Sequence, residues 1–397
     1  MTLPGEVRLS TVVMAHPRRR EHATRLQREY PELDIRIAYD PEPEGPPATL
    51  RTARRAWDAV AEGATHHLVL QDDVLLCRDF PRVVERALRA APEGPVSLFA
   101  SWSMGTSQAM RLAALLGASW TRLTDDWTPT QALVLPADWA REFAAYAERF
   151  PAWKPDNRAM YDFLKEKGRD THVSIPSLVE HAPQKSLLFN DLLHGVRDAT
   201  AFAGDAGLAG TAFDDRVVSP PALAYMWVGA GEFYAHYDPL DRTGRSMVTP
   251  AHEVLADFGL PHDELSERFA ADLAAHRAEL AKVPLLGEVF AFSLWLTCFT
   301  SGVIAGALFD KPDPGLLDDA FQQPWADATL ATLPASSLRK MAAHGGLRAV
   351  ARHYVPLCRA ALRSGLAAVA AYPDLTALWE PDQHEIRPRW AKSLPAG

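Results

Sequence analysis

Two adjacent carboxylates follow an apolar run in the segment LVLQDDVLLCRDF, which extends from Leu68 to Phe80. Open α/β sheets place ligands at the carboxyl ends of their strands. Carboxylates there suit a hard divalent cation, Mg²⁺ or Mn²⁺, which itself binds phosphate oxygens. Since neighbouring side chains on a strand point to opposite faces, we expect one of Asp72 and Asp73 to bind the metal directly and the other to orient a ribose, a water or the loop. The alternative is that the pair caps the following helix.

Short β-rich runs alternate with helical periods through the first half of the chain. Strands are predicted at Leu9–Ala15, Asp34–Tyr39, His67–Leu70, Val96–Ala100, Gln131–Leu135 and Val173–Pro176. Between the second and third of these runs, the segment Leu50–Gly63 has helical spacing and carries Arg51, Arg54 and Arg55. Strands that alternate with helices predict an α/β fold, with a mixed, mostly parallel sheet flanked by helices.

The second half of the chain is predicted to be an α-helical domain. We expect a catalytic domain over residues 1–205, a linker over 206–222 and the helical domain over 223–397. The run Val289–Phe309 has 21 residues without a charge, which is long enough to span a bilayer. The same pattern is typical of the central helix of a helical domain, which is the interpretation we favour. Peripheral contact with a membrane is the alternative.

The composition excludes several classes of protein. The chain has 397 residues, of which 48% are hydrophobic, so it can build a sizeable core and is not disordered. Its net charge of −9 argues against a general nucleic-acid binder. Three isolated cysteines favour a reducing cytoplasm over a disulfide or zinc framework. With 33 Arg against 8 Lys and abundant Ala, the composition is typical of a GC-rich bacterial genome.

Two motifs resemble those of a known enzyme class. The run HHLVLQDDVLLCRDF resembles the acidic segment of GT-A glycosyltransferases, above all the LEDDV…DF pattern of bacterial lipooligosaccharide-type enzymes. The run IPSLVEHAPQKSLLFN resembles the PSLVQHxGxxS segment that closes many GT-A domains. The resemblance covers about Ser10 to Asn190. Gln71 stands where the pattern has an acid, and Ala182 and Pro183 replace its glycine, so we expect weaker metal dependence.

The resemblance implies a GT-A-like, Rossmann-like fold and transfer of a hexose from a nucleoside-diphosphate sugar, most simply a UDP-sugar, to an acceptor hydroxyl. It implies that Mn²⁺ or Mg²⁺ is held by Asp73 and His181, where it would neutralise the leaving diphosphate. The donor-binding residues that it implies are His16, Arg18, Asp40, Arg51, Arg54, Asp72, Lys185 and Ser186.

An inverting transfer also needs a carboxylate that takes the proton of the acceptor hydroxyl. In GT-A enzymes an acid at the start of the helix before the final strand commonly has this role, and Asp156 fits that position best. Asp162, nearly two turns further on, is the second candidate, and the pair Asp125 and Asp126 is a third. The competing interpretation of Asp156 is an ordinary helix N-cap after Pro155.

Other functions remain open at this point. A nucleotidyltransferase would need a glycine-rich loop after the first strand, and HPRRRE has no glycine. A catalytically silent GT-A-like binding or scaffold domain is compatible with Gln71 and with the large helical half. Trp102, Trp120 and Trp127 are candidates for stacking on a sugar, and packing in the core or at its rim is the more common alternative. The acceptor is expected to be a carbohydrate, peptide or small molecule, and the helical domain is a candidate surface for homo-oligomers.

Overall fold

The computed structural model describes residues 6–184, 187, 194–204, 212–229, 232–240, 249–283, 287–309, 313, 315–341 and 344–379. The chain divides into two compact units, residues 1–113 with 118–217, and residues 114–117 with 218–397. The boundary at 217–218 falls within the predicted linker, 206–222. Lys185 and Ser186, both predicted to bind the donor, lie outside the described residues.

The first unit alternates strands and helices. Its strands are β1 (Leu9–Ala15), β2 (Arg36–Tyr39), β3 (His66–Gln71), β4 (Val74–Leu76), β5 (Val96–Ser97), β6 (Trp120–Arg122), β7 (Ala132–Pro136), β8 (His172–Ser174) and β9 (Val179–His181). Its helices are α1 (Arg20–Glu29), α2 (Thr49–Asp58), α3 (Phe80–Ala90), α4 (Thr106–Leu115), α5 (Ala137–Ala147) and α6 (Asp156–Glu166).

Seven of these strands form one sheet in the order β2-β1-β3-β7-β5-β8-β6. The strands β1, β2, β3, β5 and β8 run in one direction, while β7 and β6 pair antiparallel with their neighbours. The prediction of an α/β fold with a mixed, mostly parallel sheet is therefore confirmed. The chain passes from β1 to β2 on one side and then to β3 on the other, so the strand order reverses at β1. In open α/β sheets such a reversal marks the ligand crevice.

Strand alternation gives the sheet two apolar faces. On one face Val13 and Leu70 pack with Leu26 of α1 and Val84 of α3. On the opposite face the strands pack with α2, α5 and α6, through side chains such as Trp57. Each large side chain buried in this way contributes about 1.5–3 kcal/mol. The helices thus fix the strands, and with them the side chains that follow the strand ends.

The second unit is not entirely helical, and the prediction of an α-helical domain over 223–397 is wrong at its start. A three-stranded antiparallel sheet in the order β10-β11-β12 precedes the helices. Its strands are β10 (Ala222–Gly229), β11 (Glu232–Pro239) and β12 (Thr249–Pro250). The helices that follow are α7 (Ala251–Asp257), α8 (His262–Leu280), α9 (Glu288–Ala305), α10 (Gly315–Gln322), α11 (Ala326–Leu338), α12 (His344–Ala351) and α13 (Val355–Ala371).

Helix α9 contains the long uncharged run. By length and apolarity the segment Glu288–Leu308 could cross a membrane, but 83% of its most apolar window is buried inside the protein. Leu294, Trp295 and Phe299 are all fully buried. The indole N–H of Trp295 donates to the carboxylate of Asp272 on α8, at 2.7 Å. The core of the second unit therefore covers this helix on most sides.

Two glycines allow α9 and α13 to approach closely, and alanine at either position is expected to destabilise the second unit. A methyl group on Gly302 would lie 2.2 Å from the carbonyl oxygen of Leu362, and one on Gly365 would lie 1.9 Å from that of Phe299. Forcing such overlaps typically costs about 1–3 kcal/mol or more. Urea denaturation followed by circular dichroism measures the loss. Gly345→Ala is the control, because its methyl group would meet nothing within 4 Å, and unchanged stability of Gly365→Ala would contradict this packing.

Candidate functional site

The carboxyl ends of β1, β2 and β3 lie side by side, and each is followed by a residue predicted to act in the site. His16 follows β1, Asp40 follows β2, and Asp72 and Asp73 follow β3. The N–H of His16 donates to Oδ2 of Asp72 at 2.9 Å, which joins the first and third of these ends. The sheet therefore gathers these residues at the edge where the strand order reverses.

Arg19 lies between the two carboxylates. Its Nη1 is 3.0 Å from Oδ1 of Asp72 and 2.8 Å from Oδ2 of Asp73, and all three side chains are nearly buried. Burial lowers the pKa of Arg19, but the two carboxylates raise it by more, so the guanidinium stays charged. Burial and then the charge of Asp73 raise the pKa of Asp72. Arg19 is thus the cation that holds both acids.

A two-stranded sheet brings His181 next to Asp73, although His181 follows Asp73 by 108 positions in the chain. Strands β4 and β9 pair antiparallel with Val74 opposite His181, and the N–H of Ala182 donates to the carbonyl oxygen of Asp73 at 2.8 Å. The Nε2 of His181 is then 3.5 Å from Oδ2 of Asp73. Burial lowers the pKa of this imidazole, which favours its neutral form.

The structure brings the two predicted metal ligands together but does not arrange them around a cation. Asp73 Oδ2 faces the Arg19 guanidinium, and Oδ1 is buried without a partner among the residues that the structure describes. Among the described residues no group of three or more His, Cys, Asp or Glu side chains could hold a metal ion. A divalent ion on Asp73 and His181 would lie against the guanidinium, so these residues do not fit Mn²⁺ or Mg²⁺ while Arg19 keeps its place.

Asp40 and Arg51 form a nearly buried bidentate ion pair. Nε of Arg51 is 2.6 Å from Oδ1 of Asp40, and Nη2 is 2.8 Å from Oδ2. The same guanidinium donates to the carbonyl oxygens of Glu42 and Pro46, at 2.6 and 3.0 Å. Such bidentate pairs are strong and geometrically specific. This pair fixes the proline-rich loop of residues 40–47 over the edge of the sheet.

The remaining predicted donor residues lie in different places. His16 Nδ1 accepts from the N–H of Arg18 at 3.1 Å, and its Nε2 lies 3.1 Å from the carbonyl oxygen of Pro43, so His16 bridges to the proline-rich loop. Arg18 is exposed, with Glu44 3.6 Å away. Arg54 instead donates to the carbonyl oxygens at the end of α5, where it contributes to the packing of α2 against α5.

Asp156 is the first residue of α6 and is 5% exposed. Its N–H lies 3.3 Å from Oγ1 of Thr49, the first residue of α2. Within the described part of the chain no side chain caps the helix, and Oδ2 of Asp156 is buried without a partner there. Asp156 is therefore not a capping residue in this structure. Asp162, the second predicted base, is 2.5 Å from Nζ of Lys154 in a partly exposed ion pair.

Asp125 and Asp126, the third candidate for the catalytic base, both have structural contacts. Asp125 accepts hydrogen bonds from the N–H groups of Gly105 and Thr106 and from the Thr106 hydroxyl, at 2.9, 2.8 and 2.5 Å, and so fixes the start of α4. Asp126 forms an exposed ion pair with Arg158, at 2.6 Å. Both acids are thus accounted for by the local fold.

Of the three tryptophans that were candidates for stacking on a sugar, two do not fit that role. Trp102 and Trp120 are core residues, only 1% and 0% exposed, and their indole N–H groups donate to the carbonyl oxygens of Val196 and Asp214. Trp127 is half-buried. The indoles of Trp102 and Trp120 are therefore satisfied by contacts within the fold, which accounts for them without a ligand.

Other polar and aromatic residues near this edge were not among the predicted site residues. They are Arg19, Thr128, Gln131, Trp153 and Asn157. Arg19 belongs to a run of three arginines, of which the resemblance implies a role for Arg18 and not for Arg19. The others carry no motif, because what distinguishes them is exposure or the lack of a hydrogen-bond partner, and neither is visible in a sequence.

No model of a known protein family matches this chain, and a search of curated protein sequences finds no match.

Proposed function

We propose that the first unit is a GT-A-like glycosyltransferase domain that moves a sugar from a nucleoside-diphosphate sugar, most simply a UDP-sugar, to an acceptor hydroxyl. The observation that carries the proposal is Asp156, a buried carboxylate with an unpartnered oxygen at the ligand edge of an α/β sheet. A buried acid that neither caps its helix nor pairs with a base has no evident structural purpose. Such groups are candidates for catalysis.

Residues at the same edge of the sheet support a phosphate-bearing donor. Helix α1 begins five residues after the end of β1, so its positive end lies by the same edge as Arg18. The loop that Asp40 and Arg51 hold in place also lies at this edge and is suited to cover a nucleotide base. These features provide a binding place for a diphosphate without using the two carboxylates that pair with Arg19.

The proposed reaction is a single displacement. Asp156 accepts the proton of the acceptor hydroxyl, whose oxygen forms the new bond to the anomeric carbon. The bond from that carbon to the diphosphate oxygen breaks, and the nucleoside diphosphate leaves with the electron pair. Negative charge at the start of a helix is favourable, which suits a carboxylate base at the first position of α6. The stereochemical outcome of such a displacement is inversion.

The predicted Mn²⁺ or Mg²⁺ has no step in this scheme, because the Arg19 guanidinium already pairs with Asp73. One alternative function gains from the same observation. A domain whose acids are already paired with an arginine could bind a nucleotide-sugar and not turn it over. Binding without release of nucleoside diphosphate, in the presence of acceptors, would favour this catalytically silent domain.

Calorimetric titration with UDP and with UDP-glucose, UDP-galactose and UDP-N-acetylhexosamines tests the donor site. We expect at least one of them to bind, and Arg18→Ala to weaken that binding several-fold through loss of a charge near the diphosphate. Arg28→Ala is the matched control, because this exposed arginine lies at the opposite end of α1. Equal binding by both variants would place the diphosphate elsewhere, and the absence of binding to all these nucleotides would reject the proposal.

A further inference from the structure

Several buried polar atoms near the first turn of α6 have no hydrogen-bond partner among the described residues. They are Oγ1 of Thr128, Oε1 of Gln131, Oδ2 of Asp156 and Oδ1 of Asn157. The side chain of Thr128 is fully buried and that of Asp156 nearly so. An unpaired polar atom away from water destabilises a fold, so native structures keep few of them. Four of the seventeen such atoms among the described residues lie on these two neighbouring segments, which makes them candidates to pair with a ligand.

Hydrogen bonds connect these two segments to each other and to the end of β3. The N–H of Thr128 donates to the carbonyl oxygen of Asn157 at 3.2 Å. At the other end of the first segment, the carbonyl oxygen of Gln131 accepts from the N–H of Gln71 at 2.9 Å. The Gln71 side chain donates to the hydroxyl of Thr130 at 3.2 Å. Residues 128–131 thus extend from the start of α6 to the strand that delivers the paired acids.

An exposed tryptophan lies just before the same helix. Trp153 is 76% exposed, the largest fraction among the large hydrophobic side chains of the described residues. It precedes Asp156 by three residues, and a chain of that length spans at most about 10 Å. A flat indole surface left in solvent next to unpaired polar atoms offers both an apolar face and hydrogen-bonding groups to one ligand.

We propose that Thr128, Gln131, Trp153, Asp156 and Asn157 form a carbohydrate-binding subsite, the α6 subsite, which holds the acceptor. Sugar hydroxyls both donate and accept, so they match the Thr128 hydroxyl, the two amides and the Asp156 carboxylate at once. The C–H face of a sugar ring can stack on Trp153. The identification of this sugar as the acceptor rests on the proposed function, because Asp156 must then reach its hydroxyl.

Saturation-transfer NMR with methyl glucosides, methyl galactosides, lactose and cellobiose tests the subsite without any donor. We expect at least one of these saccharides to bind the full chain. Trp153→Ala should weaken its binding about tenfold, the effect of losing one good stacking contact. Trp153→Phe should retain most of the affinity. Met341→Ala, which shortens another exposed apolar side chain, should leave the affinity unchanged.

Thr128→Val separates a binding role from a structural one. The change replaces an unpartnered hydroxyl with a methyl group of the same shape, so thermal stability should be unchanged or higher. Saccharide affinity should nevertheless fall several-fold. A structural role would give the opposite pair of results, with lower stability and unaltered binding. Unaltered saccharide binding in both Thr128→Val and Trp153→Ala, or no binding by the wild-type chain, would overturn the α6 subsite.

Failure of the proposed function would look different. A chain that binds saccharides but no nucleotide-sugar would keep the α6 subsite and lose the transferase. A chain that binds and turns over nucleotide-sugars, with an acceptor KM unaffected by Trp153→Ala, would keep the transferase and lose the subsite. The two readouts, saccharide affinity and nucleotide affinity, are measured on the same protein samples.

Discussion

Asp156→Asn is expected to lower the rate of sugar transfer by about 10²–10⁴-fold, the usual contribution of a general base. The amide has nearly the same shape as the carboxylate but cannot accept the proton of the acceptor hydroxyl. Because the side chain of Asp156 makes no ion pair with any described residue, its replacement should leave the fold and donor affinity intact. Release of nucleoside diphosphate, measured with donor and saccharide acceptor present, gives the rate.

Asp162→Asn is the matched control, since it removes a carboxylate from the same helix. Asp162 is partly exposed and pairs with Lys154, and such pairs contribute about 0–1 kcal/mol to stability. Its variant should therefore turn over at nearly the wild-type rate. If Asp162→Asn loses activity and Asp156→Asn keeps it, the roles that we assign to the two acids are reversed.

Arg19→Ala is expected to destabilise the first unit by about 3–5 kcal/mol, the usual effect of removing one partner from a buried ion pair. Two nearly buried carboxylates, Asp72 and Asp73, would then face each other without a cation. The same change opens the place of the guanidinium to a metal. We therefore expect Mn²⁺ to raise the melting temperature of Arg19→Ala and to have little effect on the wild-type protein.

Thermal melts with Mn²⁺ and with a chelator measure both effects, and Arg28→Ala serves as the control for loss of an arginine from the same region. An Arg19→Ala variant as stable as wild type would show that the ion pair is not important to the fold. Equal stabilisation of wild type and Arg19→Ala by Mn²⁺ would instead support the metal site that the sequence predicts on Asp73 and His181.

Much of the first unit could be predicted because its strands are apolar, β-branched and bounded by turns. Leu9–Ala15 is predicted and observed with the same limits. The short strands β4, β6 and β9 were not predicted, since three residues carry too little periodicity. The β10–β11 hairpin was not predicted either, although its sequence is rich in aromatic residues, because β10 (ALAYMWVG) is apolar throughout and periodicity alone does not distinguish such a run from a buried helix segment.

The site was predictable in its positions and not in its contacts. The sequence predicts that Asp72, Asp73 and Asp40 follow strands, and parallel strands then bring them to one edge of the sheet. Nothing in the sequence tells which of three consecutive arginines turns inward, and Arg19 does so because a short 3₁₀ turn, Pro17–Arg19, follows β1. Likewise the sequence does not distinguish the exposed Trp153 from the tryptophans that are buried.

The most direct test of the central claim is nucleoside diphosphate release by the wild-type chain, supplied with UDP-sugars and simple saccharides. The proposal predicts release that depends on the saccharide and is lost in Asp156→Asn but not in Asp162→Asn. Release that is equal in wild type and Asp156→Asn, or no release by a folded wild-type chain that also binds no nucleotide-sugar, would contradict it.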